Sequence, residues 1–289
     1  MKKILFVLVI THSLFSSEAI WNNGPTQLLK DIFAIMGIEG VENLETAARQ
    51  ADFLWSRPKN LEYWDFYTLS EGDQRKALVK KIKESALVKA KIPSKKHYYA
   101  VVVLGATAGT VRARIAFLLG LYDKAGISFD KIYLLGSTRD LKVGNKSDKE
   151  MVKTLEKKGL ATTEIEMMNE IWQQTQMPDA LKQIPVVQVQ AGERSDGMRA
   201  STEDTIMEMV KDGQNLKGKS FLFVSDNPYI CFQDAIAKKT LTPYGIEVET
   251  VGEGVNNQKM LDEKIENVLH SVARCLTNVK AWVDAKANQ

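Results

Sequence analysis

From Tyr98 onward, five short apolar, β-branched runs alternate with helical patterns, and this rhythm restricts the fold more than any other feature of the chain. The runs are Tyr99–Leu104, Lys131–Leu135, Val186–Gln190, Ser220–Val224 and Glu247–Val251. Helical spacing falls at approximately 110–124, 163–175, 203–212, 229–240 and 258–285. Strands separated by helices require right-handed crossovers, which give a mostly parallel sheet covered on both faces. The expected fold is therefore α/β, with a mostly parallel five-stranded Rossmann-like sheet over 98–289. A helical segment, 20–97, precedes it.

That segment carries Leu44, Ala47, Ala48, Ala51 and Leu54 at helical spacing. A second helix is expected after Ser70, with Asp73 three residues on as a capping-box variant. It carries Leu78, Ile82, Leu87 and Val88 and stops before Pro93. Trp55, Tyr63, Trp64, Phe66 and Tyr67 lie between the two. They can fill a joint against the main body, stack on sugar rings, or form the contact surface of a secreted interaction protein. The last helix has an apolar stripe, Leu261, Ile265, Val268, Val272, Leu276, Val279 and Val283. Packing within the chain is the expected use of that stripe.

Residues 1–19 differ from the rest. Lys2 and Lys3 precede an apolar run, Ile4 to Ile10, and Ser17 and Ala19 stand three and one residues before Ile20. A basic start, a short apolar middle and a small-residue exit form a secretory signal, with cleavage expected after Ala19. Thr11, His12 and Ser13 break the run well short of the ~20 apolar residues a spanning helix needs, so no membrane span is expected after cleavage. The protein is expected to be exported, to a periplasm or to the medium. Loss of Lys2, Lys3 and Glu18 from 39 basic and 36 acidic residues leaves 37 and 35. So even a balance argues against a nucleic-acid partner. In an oxidising compartment Cys231 and Cys275 can pair, or each can stay a buried thiol.

In an open parallel sheet, ligands bind beyond the carboxyl ends of the strands. After the first strand comes Gly105-Ala106-Thr107-Ala108-Gly109, then a helix with Arg112 and Arg114. A glycine turn and a helix N-terminus suit an anion, although neither a Walker A loop nor a complete dinucleotide fingerprint is present. Gly136-Ser137-Thr138-Arg139 follows the second strand, and Arg offers a planar fork of donors. A charged loop is expected over 142–160. Thr162 or Thr163 then caps a helix whose start holds Glu164 and Glu166. Ser201 or Thr202 caps the next, with Asp204 and Thr205 in its first turn. After the fourth strand, Asp226 or Asn227 is the expected cap, with Pro228 at the first helical position. Ser225 and Tyr229 are then left facing the crevice, and Gln233 lies one turn beyond.

The expected ligand is small and anionic or nucleotide-like. Gly105, Thr107, Arg114, Gly136, Ser137, Arg139, Thr205, Ser225, Asn227, Tyr229 and Gln233 are its candidate contacts. Glu164, Asp204 and Asp226 are candidate acid–base groups for a hydrolase or transferase. No Gly-x-Ser-x-Gly elbow, HExxH, paired CxxC or EF-hand loop occurs. No motif names a cofactor or a metal.

The order of several short motifs resembles the YdcF/SanA/ElyC-like bacterial envelope proteins over approximately 98–255. Val101-Val102-Val103-Leu104-Gly105, Arg114 before Leu121-Tyr122, and Ile132-Tyr133-Leu134-Leu135-Gly136-Ser137 carry the likeness. Thr163-Glu164, Ser201-x-x-Asp204-Thr205 and Phe221-Leu222-Phe223-Val224-Ser225 continue it. The resemblance implies a role in envelope biogenesis or maintenance. Where that family has a His and then an Arg after the fourth strand, this chain has Asn227-Pro228-Tyr229 and Gln233.

Overall fold

A computed structural model describes residues 16–56, 69, 72–211, 216–255, 261 and 265–287. Its five strands are β1 (His97–Leu104), β2 (Ser128–Ser137), β3 (Val186–Ala191), β4 (Ser220–Asp226) and β5 (Glu247–Glu253). They form one all-parallel sheet in the order β3-β2-β1-β4-β5. Val101 of the central strand pairs with Ile132 on one side and Leu222 on the other. Ala100 through Leu104 are all buried, the unbroken apolar run demanded of a parallel strand with covered faces. Each strand extends one to three residues beyond its apolar run at one end or both. His97 is the first residue of β1, at the end opposite the crevice.

Helices α1 (Gln27–Ile35), α2 (Leu44–Trp55) and α3 (Asp73–Lys83) precede the sheet. The second of the two expected N-terminal helices begins later and ends earlier than its spacing suggests. Gly72 is its N-cap, and Ser70 lies outside the described residues. Leu87 and Val88, past its end, are still buried. The strand-like stretch after them closes the β5 edge: Lys91 exchanges backbone hydrogen bonds with Gly252, and the Val255 amide donates to Val88. A sheet edge covered in this way is protected from pairing with another chain.

Between strands stand α4 (Ala108–Gly120), α5 (Lys146–Lys157), α6 (Glu164–Gln174), α7 (Asp179–Lys182), α8 (Thr202–Val210) and α9 (Ile230–Leu241). The long α10 (Ile265–Ala287) follows β5. Helix α5 corrects the expectation of a charged loop over 142–160. Asn145 caps it, and Met151, Val152 and Leu155 bury one narrow stripe among lysines and acids. Three apolar residues in so charged a segment gave a periodic signal too weak to stand out.

One face of the sheet packs on α4, α5 and α6 through Val101, Val103, Leu134 and Leu222. The other packs on α8 and α9 through Ala100, Val102, Tyr133 and Phe223. A further layer joins α1, α2, α3 and α10 to the outer side of α9 in one apolar cluster. Stripe residues Leu261, Ile265, Val268, Val272, Leu276 and Val279 are buried within the chain, and Val283 alone is exposed. Trp55 is buried against Phe33, as a core aromatic would be, and presents no surface to a partner. Tyr63, Trp64, Phe66 and Tyr67 lie outside the described residues. Among the described residues, no helix is long and apolar enough to cross a membrane.

Of the two readings left open for the cysteines, the structure adopts the bridge. Cys231 of α9 and Cys275 of α10 form a disulfide with Cα atoms 5.7 Å apart, within the ordinary range. It closes a loop with a sequence separation of 44 inside an apolar cluster. Replacing both cysteines by Ala should lower unfolding stability by about 2–4 kcal/mol, read as a shift in the urea midpoint.

Candidate functional site

The strand order reverses between β1 and β4, so the crevice of this doubly wound sheet opens beyond their carboxyl ends. Gly105, Ala106 and Thr107 follow β1 and lead into α4, with Thr107 at the N-cap position. Asp226 ends β4. Arg114 of α4, almost wholly buried, crosses between them. Its Nε and Nη2 donate to Asp226 Oδ1 at 2.9 and 2.6 Å. Its Nη1 donates to the carbonyls of Leu104 and Gly105 at 2.7 and 2.9 Å. One guanidinium thus ties together the ends of the two central strands. Asp226 keeps its Oδ2 without a hydrogen bond among the described residues, and its side chain is 19% exposed.

A second arginine braces the β2 side. Arg139 Nη1 donates to Asp148 Oδ2 at 2.9 Å, and Nη2 donates to the Ala106 carbonyl at 3.1 Å. Asp148, from α5, is fully buried, and its Oδ1 accepts the Ala108 amide at 2.7 Å. The neighbouring Ser147 hydroxyl accepts the Gly109 amide at 3.2 Å. A helix N-terminus attracts anions through its unsatisfied amides and dipole. At α4 the chain supplies that anion itself. Glu164 completes the cluster: Oε2 accepts the Ser137 amide and hydroxyl at 3.0 and 2.7 Å, and Oε1 lies 3.6 Å from Arg139 Nη2.

This geometry revises several expectations. Arg114 and Arg139, read as ligand anchors, direct their donors to Asp226, Asp148 and backbone carbonyls. Gly105 and Gly136 serve close packing: a Cβ on Gly105 would lie 2.9 Å from Glu164 Cδ, and one on Gly136 3.0 Å from Ile165 Cα. Glu164 is held in hydrogen bonds beneath the loops. Ser201 is the cap of α8, and its capping box is complete, with amide and hydroxyl both 2.7 Å from Asp204 Oδ2. The Thr205 hydroxyl turns back to the Thr202 carbonyl at 2.9 Å. Asp204 and Thr205 therefore bond within the first turn of α8 and do not join the Arg114–Arg139 cluster.

The segment after β4 differs as well. Ser225 does not face the crevice; it is buried and donates to Gln233, which is buried too. Asn227 Nδ2 donates to the Lys89 carbonyl at 2.7 Å. Pro228 lies in the turn before α9, after a cis peptide bond, and α9 begins at Ile230. Neither Asp226 nor Asn227 caps that helix: Tyr229 holds the N-cap position without a side-chain cap. Tyr229 is half-buried, edge-on to Phe232. Thr107 is half-buried, its hydroxyl 3.2 Å from that of Thr110. Thr163 is the cap of α6.

Asp148 and Ser147 were not expected at the site, because they stand in the stretch read as a loop. Asn145, three residues before Asp148, was the available sign of a helix start there. Among the described residues, no group of three or more His, Cys, Asp or Glu is arranged to hold a metal ion.

Fold and strand order make this a Rossmann-like parallel α/β protein with a polar, internally braced carboxyl edge. Comparison of the chain with family models, curated proteins and solved structures returns no match.

Arg114→Ala should cost about 3–5 kcal/mol in chemical denaturation, because it strands a partly buried carboxylate and two carbonyls. Gly105→Ala should cost about 1–3 kcal/mol in the same measurement through overlap with Glu164 and the Leu135 carbonyl.

Proposed function

We propose that the protein is exported and binds a small anionic or nucleotide-like ligand in the crevice beyond β1 and β4. The observation that carries this reading is Asp226, the candidate carboxylate that stands at the switch point with one oxygen outside any hydrogen bond among the described residues. Arg114 holds one carboxylate oxygen in place at the switch point, and the other is left to accept from a ligand hydroxyl. The half-buried Gly105–Thr107 turn beside it is where backbone can approach the ligand closely. The arginines position these groups and do not touch the ligand. A small crevice with a few convergent polar groups is the usual form of such a site.

The location rests on residues 1–19, and the placement in envelope biogenesis rests on the resemblance to YdcF-like proteins. A hydrolase or transferase acting on phosphorylated or glycan-linked envelope precursors is the second reading. The same oxygen favours it, since Asp226 Oδ2 stands at the switch point without a hydrogen bond among the described residues, free to act as base.

A thermal-shift screen of nucleotides, sugar nucleotides and sugar phosphates tests the binding. At least one class should raise the Tm of the unaltered protein, and Asp226→Asn should abolish that rise. A ligand response that survives Asp226→Asn unchanged, or no response to any class, would overturn the proposal. Turnover of a phosphoester or cell-wall fragment that is lost in Asp226→Asn would establish the second reading.

A further inference from the structure

Far from the crevice, the residues around the expected cleavage point are packed against α9. Ser17, Ala19 and Ile20 are all buried. The Ser17 hydroxyl donates to Asp234 Oδ2 at 3.0 Å, and its amide lies 3.4 Å from the same oxygen. Asp234 is completely buried. Lys238 Nζ stands 2.8 Å from Oδ2, whereas Oδ1 is buried with no hydrogen-bond partner among the described residues. Burial works to raise the carboxyl pKa. The ammonium groups of Lys238 and Lys91, with the Lys238 and Ser17 hydrogen bonds, outweigh it and hold the group below its ordinary value. An ionised carboxylate with one bare oxygen in an apolar layer is a costly arrangement unless a donor reaches it.

Ile20 also has anchors outside the segment before it. Its side chain is wholly buried, and its carbonyl accepts the Thr26 amide and hydroxyl at 3.2 and 3.1 Å. Its own amide donates to the Ser17 carbonyl, a partner inside the segment that cleavage removes. At a rise of about 2 Å per residue, the Ile20 nitrogen lies roughly 6 Å along the turn from the Ser17 nitrogen. Departure of residues 1–19 removes Ser17, whose hydroxyl and amide now face Asp234 Oδ2.

We propose that cleavage after Ala19 makes the Ile20 α-ammonium a new ligand of Asp234, replacing Ser17 and supplying the donor that Oδ1 lacks. This rests on reading residues 1–19 as an export signal. A peptidase adds water across the Ala19–Ile20 bond: the Ala19 carbonyl carbon takes the hydroxyl, and the Ile20 nitrogen takes the proton and a second one from solvent. The new cation lies beside a buried anion, and a charged donor makes a stronger hydrogen bond than the hydroxyl it displaces. The final packing of α9 then follows processing.

The full chain, expressed with its own leader in an exporting bacterium, tests this. Intact mass and terminal sequencing should give Ile20 as the first residue. An amine-acylating reagent, with products located by peptide mass, should modify the Ile20 α-amine about tenfold more slowly in the native protein than in denaturant. Asp234→Asn should remove that protection, and Ser17→Ala should yield an unchanged mature protein. A first residue other than Ile20 overturns the proposal together with the expected cleavage point. Ile20 first with an unprotected α-amine overturns the pairing and leaves the export reading standing. Protection in the unaltered protein is decided by the native and denatured rates alone, so the proposal stays falsifiable even where a variant fails to fold.

Discussion

Arg114 uses its guanidinium to bind two strand ends into one edge. Parallel strands finish side by side, and their last carbonyls and the following loops converge where the helices on either face diverge. Backbone groups left there without partners would cost more than the fold can spare. Arg114 meets this with a planar fork that bonds the carbonyls of Leu104 and Gly105 and the carboxylate of Asp226 together. Lysine, a single point charge, could not hold all three in fixed directions. Arg139 repeats the solution one strand over, with Asp148 as its anion and the Ala106 carbonyl as its acceptor.

The consequence is an edge whose charged groups already bond one another. Asp148 occupies the N-terminal amides of α4 as a bound anion would, and Glu164 fills the space that a side chain on Gly105 would take. What the edge leaves over is narrow: one oxygen of Asp226 and the half-buried turn at Gly105–Thr107. Fixed supports of this kind would let few groups define the proposed site.

Behind the sheet, the N-terminal helices and α10 act as a third layer with its own buried charges. Arg75 pairs with Glu266, which also accepts the Leu69 amide at 2.8 Å. Asp234 of α9, paired with Lys238 on the same helix, accepts from the Ser17 hydroxyl. The Cys231–Cys275 bridge lies in the same cluster. Each of these ties α10 or the chain's beginning to another helix, in a layer where apolar packing has no direction of its own.

The fold could be read from residue order because its evidence is local. Val101, Val102 and Val103 in one run, and Leu276 four residues after Val272, announce strand and helix through spacing alone. Helix α5 escaped, since Met151, Val152 and Leu155 are too few among its charges to show a period. The site was legible in place and not in wiring. The strand-end rule located Arg114 and Asp226, but their pairing spans 112 residues, and no local pattern announces it. Residue order thus settled the strands, most of the helices, and the placing of Arg114, Arg139, Glu164 and Asp226 at the carboxyl edge. Whether an arginine there faces a ligand or a neighbouring carboxylate depended on distances across the finished sheet. Hydrogen bonds and ion pairs act over a few ångströms, and only folding brings such groups that close.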